Sequence, residues 1–345
     1  MMKAKYLFLI GTCILLITTS VSSSEIFTST SRKQICPPDD FIIENITQKD
    51  GAYHKAKTLS IEWWYFDAIL NNNYSMHIGL MLLSEKNHGI VMPAINMYES
   101  GQNTFNLRKI YPLTFFKGSE EKPLIYFQDI PYVDGFIDNT TGIANYTISL
   151  SLGDASVELE FKSLMRGWKT DNWAIIMPKA DVKGNITMKG EKLFVTGEGY
   201  HEHKWNMPLT FGLQNQGYYW GRISSNTTNL VWDEISTNRN GKKILAVMNY
   251  GVNNYTKINP EDFHFEIVEY GTVGLGEIPT KFKITIQSNW VTLNATMTAR
   301  GIHSLNCVLM RYVRYNVKVS GVVYINQSII ENLHSESMMD HTEFR

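Results

Sequence analysis

The chain has 345 residues, a formal net charge of −1 and an aromatic fraction of 12%, with 18 Tyr and 8 Trp. Acidic and basic residues are interspersed and form no basic stripe, so a nucleic-acid partner is not expected. The length exceeds one ordinary core and implies two domains, while three cysteines are too few for a disulfide framework.

At the N-terminus, Lys3 and Lys5 precede an apolar stretch from Tyr6 to Ile17, followed by Ser20, Val21, Ser22 and Ser23. Residues 1–24 therefore read as a signal peptide or N-terminal anchor. The run is shorter than the about 20 residues of a comfortable membrane span. The chain is expected to be exported: secreted, or attached to the outer face of the cell membrane by a tether within residues 6–21. Asn-x-Ser/Thr acceptors at Asn45, Asn73, Asn139, Asn145, Asn185, Asn226, Asn254, Asn294 and Asn326 are consistent with N-glycans on a polar exterior. Once Cys13 is removed with the leader, Cys36 and Cys307 remain, and their spacing does not say whether they pair.

Residues 25–57, with Pro37-Pro38-Asp39-Asp40 and little alternation, read as a leader segment. Beyond them, period-two alternation dominates. Val157, Leu159 and Phe161 alternate with polar neighbours, as do Phe282, Ile284 and Ile286, then Val291, Leu293, Ala295 and Met297, then Val313, Tyr315, Val317 and Val319. Each pattern places one strand face in a core and one in water. Turn residues separate the runs at Asn71-Asn72-Asn73, Asn87-His88-Gly89, Gly153-Asp154, Lys189-Gly190, Asn238-Arg239-Asn240-Gly241 and Ser320-Gly321. No long amphipathic helix is legible, so the fold class is all-β, a set of antiparallel barrels or sandwiches. The pattern breaks near Gly167–Ala180, at Trp168, Trp173 and Pro178. That break divides the chain into halves at residues 58–175 and 176–332, each long enough for a meander, with a tail at 333–345.

Two motifs stand apart. In Ile61-Glu62-Trp63-Trp64-Tyr65-Phe66-Asp67, strand geometry puts Glu62, Trp64 and Phe66 on one face and Trp63, Tyr65 and Asp67 on the other. Both faces are covered, one in a barrel interior and one in a domain contact. A carboxylate among these rings is costly unless paired. The second motif runs from Gly197 through Tyr200-His201-Glu202-His203-Lys204-Trp205-Asn206 and is followed by Tyr218-Tyr219-Trp220-Gly221-Arg222. His201 and His203 at i and i+2 share a strand face, which suits a metal. A third ligand is not identifiable, His77 and Glu62 being candidates, so no metal is assigned. A polar network bracing a barrel mouth and a ligand or catalytic site remain the other readings.

These motifs resemble those of the superfamily that contains the carotenoid 1,2-hydratases, the lipocalin-like AttH proteins and fungal decalin-forming Diels–Alderases, in the same order over residues 58–330. The resemblance implies two lipocalin-like (calycin) antiparallel β-barrels side by side, with a pocket in or between them. The family commonly carries Asp where this chain has Glu202, and a small residue where Met207-Pro208 stand. The expected function is to bind a hydrophobic small molecule (a lipid, an isoprenoid or a polyketide-like compound) and, if catalytic, to act on it without a cofactor. In that enzymatic alternative, a hydratase, isomerase or cyclase, Glu202 is the general acid and His201 or His203 tunes it. The pocket residues are then Glu62, Trp63, Trp64, Tyr65, Tyr200, Trp205, Tyr219, Trp220 and Arg222, with Arg222 either pairing Glu62 or anchoring a polar end of the ligand. A glycosylated structural surface protein is the third reading.

Overall fold

The computed structural model describes residues 41–238, 241–273, 276–306 and 309–345. Residues 1–24, expected as a signal peptide or anchor, lie outside the described residues, as do Cys36 and Cys307. The chain forms two curled antiparallel sheets, one of 14 strands and one of 9. Each is a lipocalin-like half-barrel wrapped around its own apolar cluster: Phe66, Ile78, Ile148, Phe161 and Ile176 belong to the first, Phe263, Phe282, Met297 and Tyr315 to the second. The alternating segments land as read. Val157, Leu159 and Phe161 are core residues in the strand Ala155–Ser163, and Phe282, Ile284 and Ile286 are core residues in Gly276–Gln287.

The order of the first sheet decides where the motifs meet. A meander runs from Ser60–Leu70 through Tyr74–Glu85 and His88–Glu99, and a second series ends in Trp173–Met188 and Glu191–Pro208. This last strand pairs with Ser60–Leu70, bringing both sequence motifs side by side at the centre of the sheet. The chain then crosses through the short helix Phe211–Gln214 into the second sheet, which begins at Asn215–Ser224 and ends at Ser328–Phe344.

The boundary expected at 175/176 falls inside the continuous strand Trp173–Met188, and the change of sheet comes between Pro208 and Asn215. Trp173 and Pro178 do not stop the strand, because register shifts between Ile175 and Met177 and between Met177 and Ala180 absorb the irregularity. Of residues 333–345, expected as a tail, all but Arg345 lie in the strand Ser328–Phe344, which pairs with both Met310–Ile325 and Asn215–Ser224. Ser320-Gly321 is not a turn but the middle of Met310–Ile325. The glycine is there because a Cβ would come within 2.1 Å of the Asn294 carbonyl oxygen. Part of the expected leader belongs to the first half-barrel: Ile46 and Ala52 are fully buried, and the 3₁₀ turn Gln48–Gly51 precedes the site.

Between the sheets lies a third cluster, in which Tyr65, Trp173 and Tyr200 of the first sheet meet Trp220, Val231 and Val247 of the second. Two buried ion pairs flank it. Arg222 bonds Asp67 across the interface at 2.6 Å. Arg314 makes a bidentate pair with Asp340, at 2.8 and 2.7 Å, while lying over the Tyr65 ring. Of the nine glycosylation acceptors, eight are exposed and Asn185 is half-buried.

Candidate functional site

Ser60–Leu70 and Glu191–Pro208 pair with Trp63 opposite Lys204, Trp64 opposite His203, Tyr65 opposite Glu202 and Phe66 opposite His201. Successive side chains leave a strand on opposite sides. The residues that stand together in sequence are therefore split by the sheet. Glu62, Trp64, Phe66, His201, His203 and Trp205 face the interior of the first half-barrel, whereas Trp63, Tyr65, Tyr200, Glu202 and Lys204 face the second sheet.

On the inner face, Nδ1–H of His203 donates to the Asp50 carbonyl at 2.8 Å, and Nε2 lies 3.0 Å from Oε1 of Glu62. The same Oε1 accepts the backbone N–H of His54 at 2.9 Å, and Nδ1 of His54 is 3.8 Å from it. The imidazoles are held by stacking, His203 on Trp64 at 4.6 Å and His54 on Trp205 at 4.1 Å. Burial pushes the Glu62 carboxyl up to about 7, opposed by its bonds from His54, and pulls His203 down to about 4. His201 does not join them. Its ring stacks on Phe66 at 3.8 Å, its Nδ1–H donates to the Tyr65 carbonyl, and burial lowers it to about 3.

On the outer face, Glu202 is buried among donors. Oε2 accepts Tyr200 O–H at 2.8 Å and Trp173 Nε1–H at 2.9 Å, and Oε1 accepts Trp63 Nε1–H at 3.3 Å. Burial raises its pKa while those donors and Lys204 pull it back. Across the gap, Trp220 sits in register with Asp233 on the neighbouring strand Thr228–Thr237. Asp233 is buried, and among the described residues neither its Oδ1 nor Trp220 Nε1–H has a hydrogen-bond partner. Burial lifts the Asp233 carboxyl to about 7, with Lys204 opposing and the charges of Glu202 and Glu234 adding to the rise. The Lys204 ammonium lies over the rings of Trp63, Trp173 and Phe211 at 5.5, 4.9 and 5.9 Å. Trp63, Phe211 and Lys204 form the half-buried margin of the site, and Trp173 lies buried behind them.

The structure thus brings Trp63, Tyr65, Tyr200, Glu202 and Trp220 together and separates them from Glu62, Trp64, His201, His203 and Trp205. Neither histidine touches Glu202, so neither is its tuner; alternation sends them through the sheet. Arg222 does not pair Glu62 but Asp67, with Glu198 at 3.6 Å. Tyr219 turns into the second half-barrel, stacked on His341 at 3.9 Å. Sequence reasoning missed Asp233, Trp173 and His54. Asp233-Glu234 inside the apolar run Leu230–Ile235 is a signal that finds the first; His54 carries none, because its segment has no period.

No family model and no curated protein matches the chain. Solved structures do. An AttH-like protein from Nitrosomonas europaea superposes with a TM-score of 0.65 at 12% identity, over 91% of this chain and 100% of that one. The fold is that of the lipocalin-like AttH proteins. CghA with Sch210972 shares it (TM-score 0.59, 11% identity, 83% of this chain and 88% of that one). So does kievitone hydratase from Nectria haematococca (TM-score 0.53, 9% identity, 91% and 96%). The AttH-like fold therefore hosts a hydratase among its members, and identities this low carry the fold alone.

Proposed function

We propose that this chain is an enzyme that protonates a carbon–carbon double bond of a hydrophobic small molecule held between its two sheets, with Asp233 as the acid. The observation that carries the reading is a buried carboxyl without a partner on Oδ1, raised to about 7 and standing beside the unpartnered Trp220 N–H. An acid that is still protonated near neutral pH is what such chemistry requires. Asp233 gives its proton to one alkene carbon, water adds to the other, and the proton that water releases returns to the carboxylate. Glu202, ringed by three donors, is the group that accepts from that water and orients it. The rings of Tyr65, Tyr200 and Trp220 offer faces to the developing cation. The hydratase among the structural neighbours supports catalysis over simple carriage.

Export is part of the proposal, supported by the apolar N-terminal stretch and by nine acceptor asparagines that all lie outside the core. The test is incubation of the purified chain with kievitone and with a panel of isoprenoid alkenes, followed by mass spectrometry. A product heavier by one water, formed by the wild type and lost in Asp233→Asn with binding retained, is the expected result. Binding without conversion of any alkene refutes the acid role and leaves a carrier.

A further inference from the structure

We propose that His54, Glu62 and His203 form a binding site for a divalent cation of the zinc class on the inner face of the first half-barrel. The site is separate from the one between the sheets and does not rest on the function proposed for it. Its basis is a convergence of lone pairs. Nδ1–H of His203 is committed to the Asp50 carbonyl at 2.8 Å, which leaves Nε2 as the nitrogen with a free pair, and that nitrogen points at Glu62. Binding the far ring nitrogen to a backbone carbonyl is how metal-ligating histidines are fixed in tautomer and orientation. Nδ1 of His54, buried and without a hydrogen-bond partner among the described residues, faces the same carboxylate, its ring centroid 5.3 Å from that of His203.

The spacing suits one ion. The three ligand atoms lie within 4.8 Å of one another, with His203 Nε2 at 3.0 Å and His54 Nδ1 at 3.8 Å from Glu62 Oε1. Two donors, each at about 2.0–2.1 Å from a tetrahedral zinc, are about 3.3 Å apart. The rings are already clamped, His203 against Trp64 and His54 against Trp205, so little ordering remains for binding. Charge points the same way: Glu62 is buried, and Glu120 adds a second negative charge to its surroundings. His54, with about a quarter of its side chain exposed, gives the ion a way in from solvent. Two imidazoles and one carboxylate are the borderline donor set that zinc takes in preference to calcium or magnesium. Three protein ligands leave a further position open.

The histidine pair at i and i+2 is thus not the metal pair. His201 is stacked on Phe66 and bonded to Tyr65, and the partner of His203 comes from the segment before the first long strand.

The test uses the full chain, purified without a histidine tag, stripped with chelator and titrated with zinc chloride, bound metal being counted after gel filtration. One zinc per chain is expected. His203→Ala and Glu62→Gln should abolish stoichiometric uptake, His54→Ala should weaken it at least tenfold, and His334→Ala, at an exposed position, should leave it unchanged. His54→Ala decides if the two buried variants misfold, because its ring sits at the margin of the core. Cobalt(II) should give the intense visible absorption of a four-coordinate N₂O site. A folded wild type that takes up no zinc, or uptake that survives both His54→Ala and Glu62→Gln, overturns the proposal and leaves a proton bridging Glu62 and His203.

Discussion

Asp233→Asn makes the burial of that carboxyl measurable apart from any substrate. The folded pKa is about 7 against an ordinary 3.8, a difference of about three units. Each unit corresponds to about 1.4 kcal/mol, so ionised Asp233 destabilises the fold by about 4 kcal/mol at most. The sign follows from proton binding: between the two values the native state holds a proton that the unfolded chain has released. The stability linked to Asp233 is thus fully present below about pH 4, falls as the pH rises through 7, and is flat above. Asparagine keeps the shape and never ionises. Urea unfolding followed by tryptophan fluorescence should show Asp233→Asn close to wild type near pH 4.5 and more stable near pH 8 by several kcal/mol. A stability difference that does not change with pH refutes the burial argument, and with it the claim of an acid held protonated near neutrality.

Other consequences follow from the same geometry. Removing one partner of the Arg222–Asp67 pair leaves a charge buried between the sheets. Asp67→Asn should therefore cost about 3–5 kcal/mol in chemical denaturation, and combining it with Arg222→Met should restore part of that. Trp220→Ala should weaken uptake of an apolar fluorescent probe by the folded protein and, because Trp220 is buried in the cluster between the sheets, lower stability by about 3–5 kcal/mol as well. Trp64→Ala, in the core of the first half-barrel, should lower stability by about 3–5 kcal/mol and leave the affinity of the folded fraction unchanged; the reverse result would place the pocket inside that half-barrel. Secretion from a eukaryotic host should yield a protein whose mass falls on treatment with a glycan-removing amidase, and an unchanged mass would count against glycosylation of these acceptors.

The all-β class was legible because alternation is a local property: Val157, Leu159 and Phe161 need only their own strand to declare a face. The crowding of titratable and aromatic side chains into Glu62–Asp67 and Tyr200–Asn206 was legible from composition. What stayed hidden depends on partners distant in sequence. That Glu202 and His203 look in opposite directions follows from strand parity, but which of them meets the second sheet depends on how the half-barrels dock. The boundary was misplaced because Trp173 and Pro178 resemble a break when seen alone, while in the sheet Trp173 opens the strand in register with Lys204 and Pro178 sits at an irregularity that the pairing resumes beyond. Asp233 was overlooked because Leu230–Ile235 is covered on both sides and so shows no alternation from which to single it out. His54 is held by partners distant in sequence: its ring stacks on Trp205, and the turn before it is tied to Lys169, whose ammonium bonds Asp50 at 2.9 Å.

One strand, Glu191–Pro208, serves two faces, lending Glu202 to the contact between the sheets and His203 to the interior of the first half-barrel. Its pairing slips between Lys204 and Met207, where Asn206 takes a φ of 53° that asparagine tolerates better than most residues. Inserting or deleting a single residue just before Gly199 would reverse the parity of the residues that follow, presenting the imidazoles to the second sheet and the acid to the half-barrel interior. Substitutions can therefore alter either face alone, but a change of length by one cannot. Over Gly199–Lys204, viable relatives should differ in residue type and not in residue number.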